Sequence, residues 1–254
     1  MSYSGSPDTA YRIAVGATVS RAYRSVFGDL RLAAALAWLP LALVLGAEVI
    51  ALLVGGSGFV GRVFSSLIGM IGFLLFGTTF AVRWSRFILL GERQSGALFP
   101  PGWRPMMVVT VKVCLLILAG AVVIALVARL APHALRIVIW VVGGLAIVLL
   151  SPRLFLAFPG AAIEQPPALR AAWDRIGGDY WRFLACVLIC YLPLAIVAEL
   201  IGRVGATMAS SAAWIGFEVV RLTVTFIDIA VLYALLAEVY RSISGSGTDT
   251  ATVA

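Results

Sequence analysis

The 254 residues are 62% hydrophobic and only 12% charged, with a mean hydropathy of +1.04. A soluble domain carries about 45–50% apolar and about 25% charged residues, and a chain of this length has too little interior to hide the surplus. Soluble globule, disordered chain, collagen, coiled coil and disulfide scaffold are excluded together, and an all-α integral membrane protein remains. The net charge of +7 comes from 18 Arg and one Lys against 12 acids. Nucleic-acid binding would need these cations clustered on a soluble face; they stand instead between apolar runs, where loop charge sets topology. The Arg-for-Lys bias, with Ala and Gly abundant, is what GC-rich codons produce and points to a bacterial source.

In chain order, residues 1–8 are rich in Ser and Gly and read as a disordered end, ahead of a single membrane domain over 9–243. Val19, Ala22, Tyr23, Val26 and Phe27 recur at helical spacing with Arg21 and Arg24 off the stripe, which predicts a short amphipathic helix in the membrane interface. Gly28 suits a left-handed residue ending that helix, and Asp29 suits the N-cap of the next. A first apolar run long enough to cross the hydrocarbon covers 32–54. It lies too far from Met1, and is too long, for a secretory signal peptide, so no cleavage is expected. Pro40 inside it removes a donor from the carbonyl of Leu36. The turn Gly56-Ser57-Gly58-Phe59-Val60-Gly61 matches GxGxxG but lacks the strand and βαβ unit that a dinucleotide site needs. A second span covers 63–82, followed by Arg83-Trp84-Ser85-Arg86, read as loop.

The third span covers 106–128, and the only histidine, His133, falls in the short turn beyond it. The fourth covers 137–158 and must run through Ser151, Pro152 and Arg153. Leu169, Ala172, Trp173 and Ile176 then repeat the amphipathic pattern, followed by Gly178 and Asp179. Tyr23 and Trp173 are expected at headgroup level. The fifth span covers 183–201, with Pro193 freeing the carbonyl of Ile189, and the sixth covers 214–239. Residues 244–254 again read as disordered. Cys114, Cys186 and Cys190 lie in apolar runs without His or carboxylate beside them, so they read as small hydrophobes and no metal or cofactor is expected.

Thirteen arginines fall on one side of the six spans: Arg12, Arg21, Arg24 and Arg31; Arg83, Arg86, Arg93 and Arg104; Arg153, Arg170, Arg175 and Arg182; and Arg241. Four fall on the other: Arg62, Arg129, Arg136 and Arg203. The asymmetry predicts that both termini are cytoplasmic.

Two segments echo one another. Ala22-Tyr23, Val26 and Gly28-Asp29 read against Ala172-Trp173, Ile176 and Gly178-Asp179; Leu39-Pro40-Leu41-Ala42 reads against Leu192-Pro193-Leu194-Ala195; Ala47-Glu48 reads against Ala198-Glu199. The offset drifts between 150 and 153 residues, which counts against a strict repeat. The two units are separated by an even number of crossings, so they run parallel, unlike the inverted repeats of many transporters. Three hairpins in one bundle are expected, with an amphipathic helix preceding spans one and five.

The stretches Arg83-Trp84-Ser85-Arg86-Phe87-Ile88-Leu89-Leu90-Gly91-Glu92 and Pro152-Arg153-Leu154-Phe155-Leu156-Ala157-Phe158-Pro159-Gly160-Ala161-Ala162, with Gly178-Asp179-Tyr180-Trp181-Arg182, resemble a broad set of uncharacterised six-helix bacterial inner-membrane proteins. That set is similar to the membrane domain attached to some glycerophosphoryl diester phosphodiesterases. The resemblance implies fold and location, not an activity, and these residues include no catalytic phosphodiesterase domain.

The sixth span is where chemistry concentrates. Glu218, Arg221, Thr225 and Asp228 follow i, i+3, i+7, i+10 spacing and share one helical stripe. Glu218 and Arg221 can pair along the helix, and Arg221 can also reach toward Asp228. A charge near mid-membrane costs about 2.5–3.5 kcal/mol on insertion scales, so Asp228 is protonated, paired or beside water. Glu48 and Glu199 sit toward the outer ends of their spans. Walker, GxSxG, HExxH and CxxC patterns are absent, and too few titratable groups converge for an enzyme. The residues favour a non-enzymatic module that binds lipid or a partner; the alternative is a small transporter or channel along span six. The partners expected are the bilayer and either another protein or a second copy, with no nucleic acid.

Overall fold

The computed structural model describes residues 13–54, 59–93, 97–165, 179–207 and 211–245. They are helical and contain no strand: α1 (Val15–Phe27), α2 (Leu30–Val54), α3 (Phe59–Leu90), α4 (Trp103–Leu130), α5 (His133–Phe155), α6 (Ala157–Ala162), α7 (Tyr180–Ala206) and α8 (Ser211–Gly245). Six stretches are long and apolar enough to cross a membrane: Leu30–Ala51, Val63–Leu90, Trp103–Leu130, Leu135–Ala162, Tyr180–Ala206 and Ala213–Ile243. The architecture is that of a polytopic membrane protein. The expected second amphipathic segment around Trp173, Gly178 and both chain ends lie outside the described residues.

Successive helices lie side by side in the pairs α2/α3, α4/α5 and α7/α8. Small residues let them approach. A Cβ on Gly72 would stand 2.4 Å from that of Ala47, and one on Gly205 would stand 2.8 Å from Cβ of Phe217. Without a hydrophobic driving force between helices in lipid, such close backbone contact is a main source of association energy.

Stretches of three helices are the most completely buried parts of the core. Residues 77–86 of α3 are buried on every face, as is all of α6, and α8 is largely buried between Asp228 and Val239. Trp84 is fully buried and donates its indole N–H to the carbonyl of Ala230 at 2.8 Å; Phe80 tilts onto Phe226 with centroids 5.2 Å apart. At roughly 1.5 Å per residue, α3 and α8 run about 48 and 52 Å, beyond the roughly 30 Å of hydrocarbon.

The core corrects several expectations. Arg83 and Arg86, read as loop charges, lie inside α3 with exposures of 2% and 9%. Arg83 donates to the carbonyls of Leu36 and Ala97; Arg86 grips Glu92 through both carboxylate oxygens, at 2.9 and 3.0 Å, and donates to the carbonyl of Ala162 at 3.1 Å. Their guanidinium groups staple the ends of α2, α3 and α6 together. The fourth span, Leu135–Ala162, is interrupted at Leu156, between Pro152 and Pro159, and the short α6 beyond it is wholly buried. Gly102 has φ +82, and a Cβ there would lie 2.1 Å from the carbonyl oxygen of Ala162, so only glycine fits where α4 begins.

Gly28 is not left-handed. Its φ of −73 is ordinary helix, and glycine is required because a Cβ would lie 2.6 Å from the carbonyl oxygen of Arg24. Asp29 does cap α2, accepting from the N–H of Leu32 at 3.1 Å. Asp179 makes no cap bond to α7; it accepts from the N–H of Ile13 at 3.1 Å and lies 3.8 Å from Arg182, tying the start of α1 to the start of α7.

The two proline-freed carbonyls find donors, each from another helix. Leu36, four residues before Pro40, receives Arg83 at 3.5 Å. Ile189, four before Pro193, shares the hydroxyl of Tyr23: 3.5 Å to Ile189 and 3.2 Å to Cys190. The Tyr23 hydroxyl therefore points at α7. Ala22 and Val26 of its stripe are likewise buried against α7 and α8, while Phe27 is exposed. Tyr23→Phe is expected to cost about 1 kcal/mol in a detergent melt, the net worth of one hydrogen bond. Combined with Pro193→Ala, which restores an N–H to Ile189, the cost should fall below about 0.5 kcal/mol. Equal costs in both backgrounds would show that the hydroxyl serves something other than the proline break.

Candidate functional site

The stripe of α8 divides into two unlike parts. Toward the start of α8, Arg221 and Glu218 form a two-pronged ion pair: Nε to Oε2 at 2.8 Å, and Nη2 to Oε1. The spacing i, i+3 puts both groups on one face, and a glycine makes room for the arginine. A Cβ on Gly202 of α7 would lie 2.9 Å from Cδ of Arg221. Glu48 of α2 and Glu199 of α7, the two members of the sequence echo, both lie within the electrostatic reach of Arg221. Glu199 itself is committed to Arg203, 2.9 Å away on its own helix. Glu48 stands against Gly69 of α3, where a Cβ would lie 3.0 Å from its carboxylate. An open pocket of about 250 Å³ lies there, lined by Glu48, Ser65, Ser66 and Trp214.

Thr225 bonds its hydroxyl back to the carbonyl of Arg221 at 2.9 Å within the helix. Asp228 lies seven residues from Arg221, about 10 Å along the axis, and does not pair with it. Asp228 is 5% exposed, and its Oδ1 has no hydrogen-bond partner. Its carboxylate lies within electrostatic reach of titratable groups on two other helices: Tyr23 of α1, and Cys190 and Tyr191 of α7. Burial first, then the neighbouring Cys190 and Asp228, pushes the Tyr23 phenol above its ordinary value, so it serves as a hydroxyl donor throughout the physiological range.

Two larger openings among the described residues are apolar. One groove of about 370 Å³ runs between α2 and α8 over Phe80 and Phe226, with Trp38 on its rim. A second, of about 430 Å³, separates α4 from α5 between Gly120 and Gly143. Neither was legible in the sequence, because each depends on which faces of two distant helices meet. Among the described residues no group of three or more His, Cys, Asp or Glu is arranged to hold a metal ion. Comparison with protein-family models, with curated proteins and with solved structures finds no match for the chain.

Proposed function

We propose that this is a multi-pass protein of a bacterial inner membrane that binds lipid or a membrane partner without catalysing a reaction. In this reading the six spans form three hairpins, both termini are cytoplasmic, and amphipathic helices precede spans one and five. The likeness to the membrane domain attached to some glycerophosphoryl diester phosphodiesterases belongs to the same proposal. One observation carries it: two openings between spans, of about 370 and 430 Å³, are lined almost wholly by apolar side chains, as a site for acyl chains or another helix would be. Glu218, Arg221 and Thr225 of the sixth span are closed locally, in an ion pair and a bond back to the helix, and Asp228 is the exception. The apolar faces of α4 and α5 are also open along most of their length, as a partner surface would be.

Native mass spectrometry of protein purified in mild detergent tests the reading, with gradient assays on proteoliposomes beside it. The expected result is at least one retained phospholipid per chain, or a stable partner, and vesicles that hold a proton gradient. A bare protein that dissipates the gradient would overturn it. That outcome would favour the second reading, transport along span six, for which the unpartnered Oδ1 of Asp228 is the specific support.

A further inference from the structure

The groove between α2 and α8 exists because α2 presents Ala33, Ala34 and Ala37 where larger side chains would fill the space above Phe80 and Phe226. Phe80 and Phe226 are buried and form the floor; Ala34 and Trp38 are exposed and form the rim. Two lining side chains carry a polar atom: Thr223, whose hydroxyl bonds to the carbonyl of Val219 at 2.8 Å, and Trp38, whose indole N–H is on the exposed rim. The floor of the groove therefore offers no open side-chain donor or acceptor. A water-soluble ligand would lose its hydration there without replacement.

Its dimensions fit one half of a bilayer. From Leu30 to Leu41 the lining spans about 16 Å of helix, against about 15 Å for one leaflet of a 30 Å hydrocarbon core. The lining itself carries no charged side chain. Arg31, Ala34 and Trp38 follow i, i+3, i+7 spacing and share a stripe, which sets Arg31 about 10 Å beyond Trp38 at the start of α2. Arg31 is exposed and pairs with none of the described residues. An apolar slot one leaflet deep, with the exposed Arg31 on the same stripe as its rim residues Ala34 and Trp38, has the outline of a lipid: chain along the helices, anionic phosphate at the arginine.

We infer that the α2–α8 groove holds one acyl chain of an anionic phospholipid whose phosphate is bound by Arg31. This rests on the lipid-binding reading and narrows it to one site and one headgroup charge. Neighbouring side chains set the selectivity: a zwitterionic lipid fills the slot equally well but brings its own cation to Arg31. Trp38, with its amphipathic ring on the rim, covers the chain.

The test uses the full chain, offered equal amounts of phosphatidylglycerol and phosphatidylcholine with the same acyl chains, and native mass spectrometry of what is retained. The wild-type protein should prefer phosphatidylglycerol by about tenfold, the size of one charge-assisted hydrogen bond. Arg31→Gln, at an exposed position, should bring the preference to within about twofold while retention of phosphatidylcholine stays unchanged. Ala37→Phe should abolish the selective lipid, and Ala34→Leu, on the rim, should weaken it without touching the core. Equal wild-type retention of the two lipids, or full selectivity in both alanine variants, overturns this site and leaves the broader reading standing. A wild-type protein that retains no phospholipid under any washing condition overturns both. A stable dimer abolished by Ala37→Phe, with no lipid bound, overturns the inference in favour of a second copy in the groove.

Discussion

Arg221→Leu is expected to lower the melting temperature of the detergent-solubilised protein by roughly 4–10 °C, from a loss of about 2–3 kcal/mol. The estimate sits below the full cost of breaking a buried pair because the Arg221 side chain is 33% exposed, whereas that of Glu218 is 10%. The loss comes mainly from what remains. Glu218 keeps a carboxylate that two guanidinium nitrogens had satisfied, with Glu48 nearby and no second cation paired with either among the described residues. The sign of the rescue follows. Glu218→Leu in the Arg221→Leu background should recover most of the loss, since replacing both members of a buried pair by apolar residues is often neutral or better. Glu218→Gln alone should cost less than Arg221→Leu, because its amide oxygen can still accept from Nε. If the two leucine substitutions simply add, the pair holds nothing together, and Arg221 acts through its packing on Gly202 instead.

What could be read in the sequence is what depends on neighbours along the chain. Six apolar runs were legible because each satisfies its own backbone as a helix. The Glu218–Arg221 pair was legible because i, i+3 is a local relation. The two prolines marked Leu36 and Ile189 as carbonyls needing donors, but nothing in the sequence could say that Arg83 and Tyr23 would supply them, 47 and 166 residues away. The same limit hid the burial of Arg83 and Arg86. Hydropathy ends a span at a charge, whereas the fold continues α3 past both arginines because Glu92 and three backbone carbonyls wait for them. Glu48 and Glu199 were linked only by the sequence echo, and the fold brings both within the field of Arg221. The stripe on α8 looked continuous because periodicity reports a face and says nothing about distance along it.

That distance decides what to expect of Asp228. With Arg221 about 10 Å away and engaged with Glu218, removing Asp228 leaves no stranded cation. It removes a buried group whose Oδ1 has no partner, and an unmade hydrogen bond in the interior costs about 1–3 kcal/mol. Asp228→Leu is therefore expected to melt at or above the wild-type temperature. Asp228→Asn should melt no higher than the leucine variant, since it exchanges one polar group for another in the same surroundings. Arg221→Leu should cost the same in the Asp228→Leu background as alone, because sites this far apart without shared partners add. A leucine variant that melts well below wild type, and that Arg221→Leu partly rescues, would mean the two charges do meet in the bilayer. If stability rises as expected, the carboxylate is carried at a cost. An intramembrane acid kept at a cost is a functional-site hypothesis by default. The assay that then decides is lipid retention measured alongside gradient dissipation in proteoliposomes. If Asp228→Leu leaves lipid retention intact and the vesicles stay sealed, the lipid-binding reading holds without Asp228. If wild-type vesicles leak protons and the leucine variant seals them, Asp228 is the carrier and transport is the function.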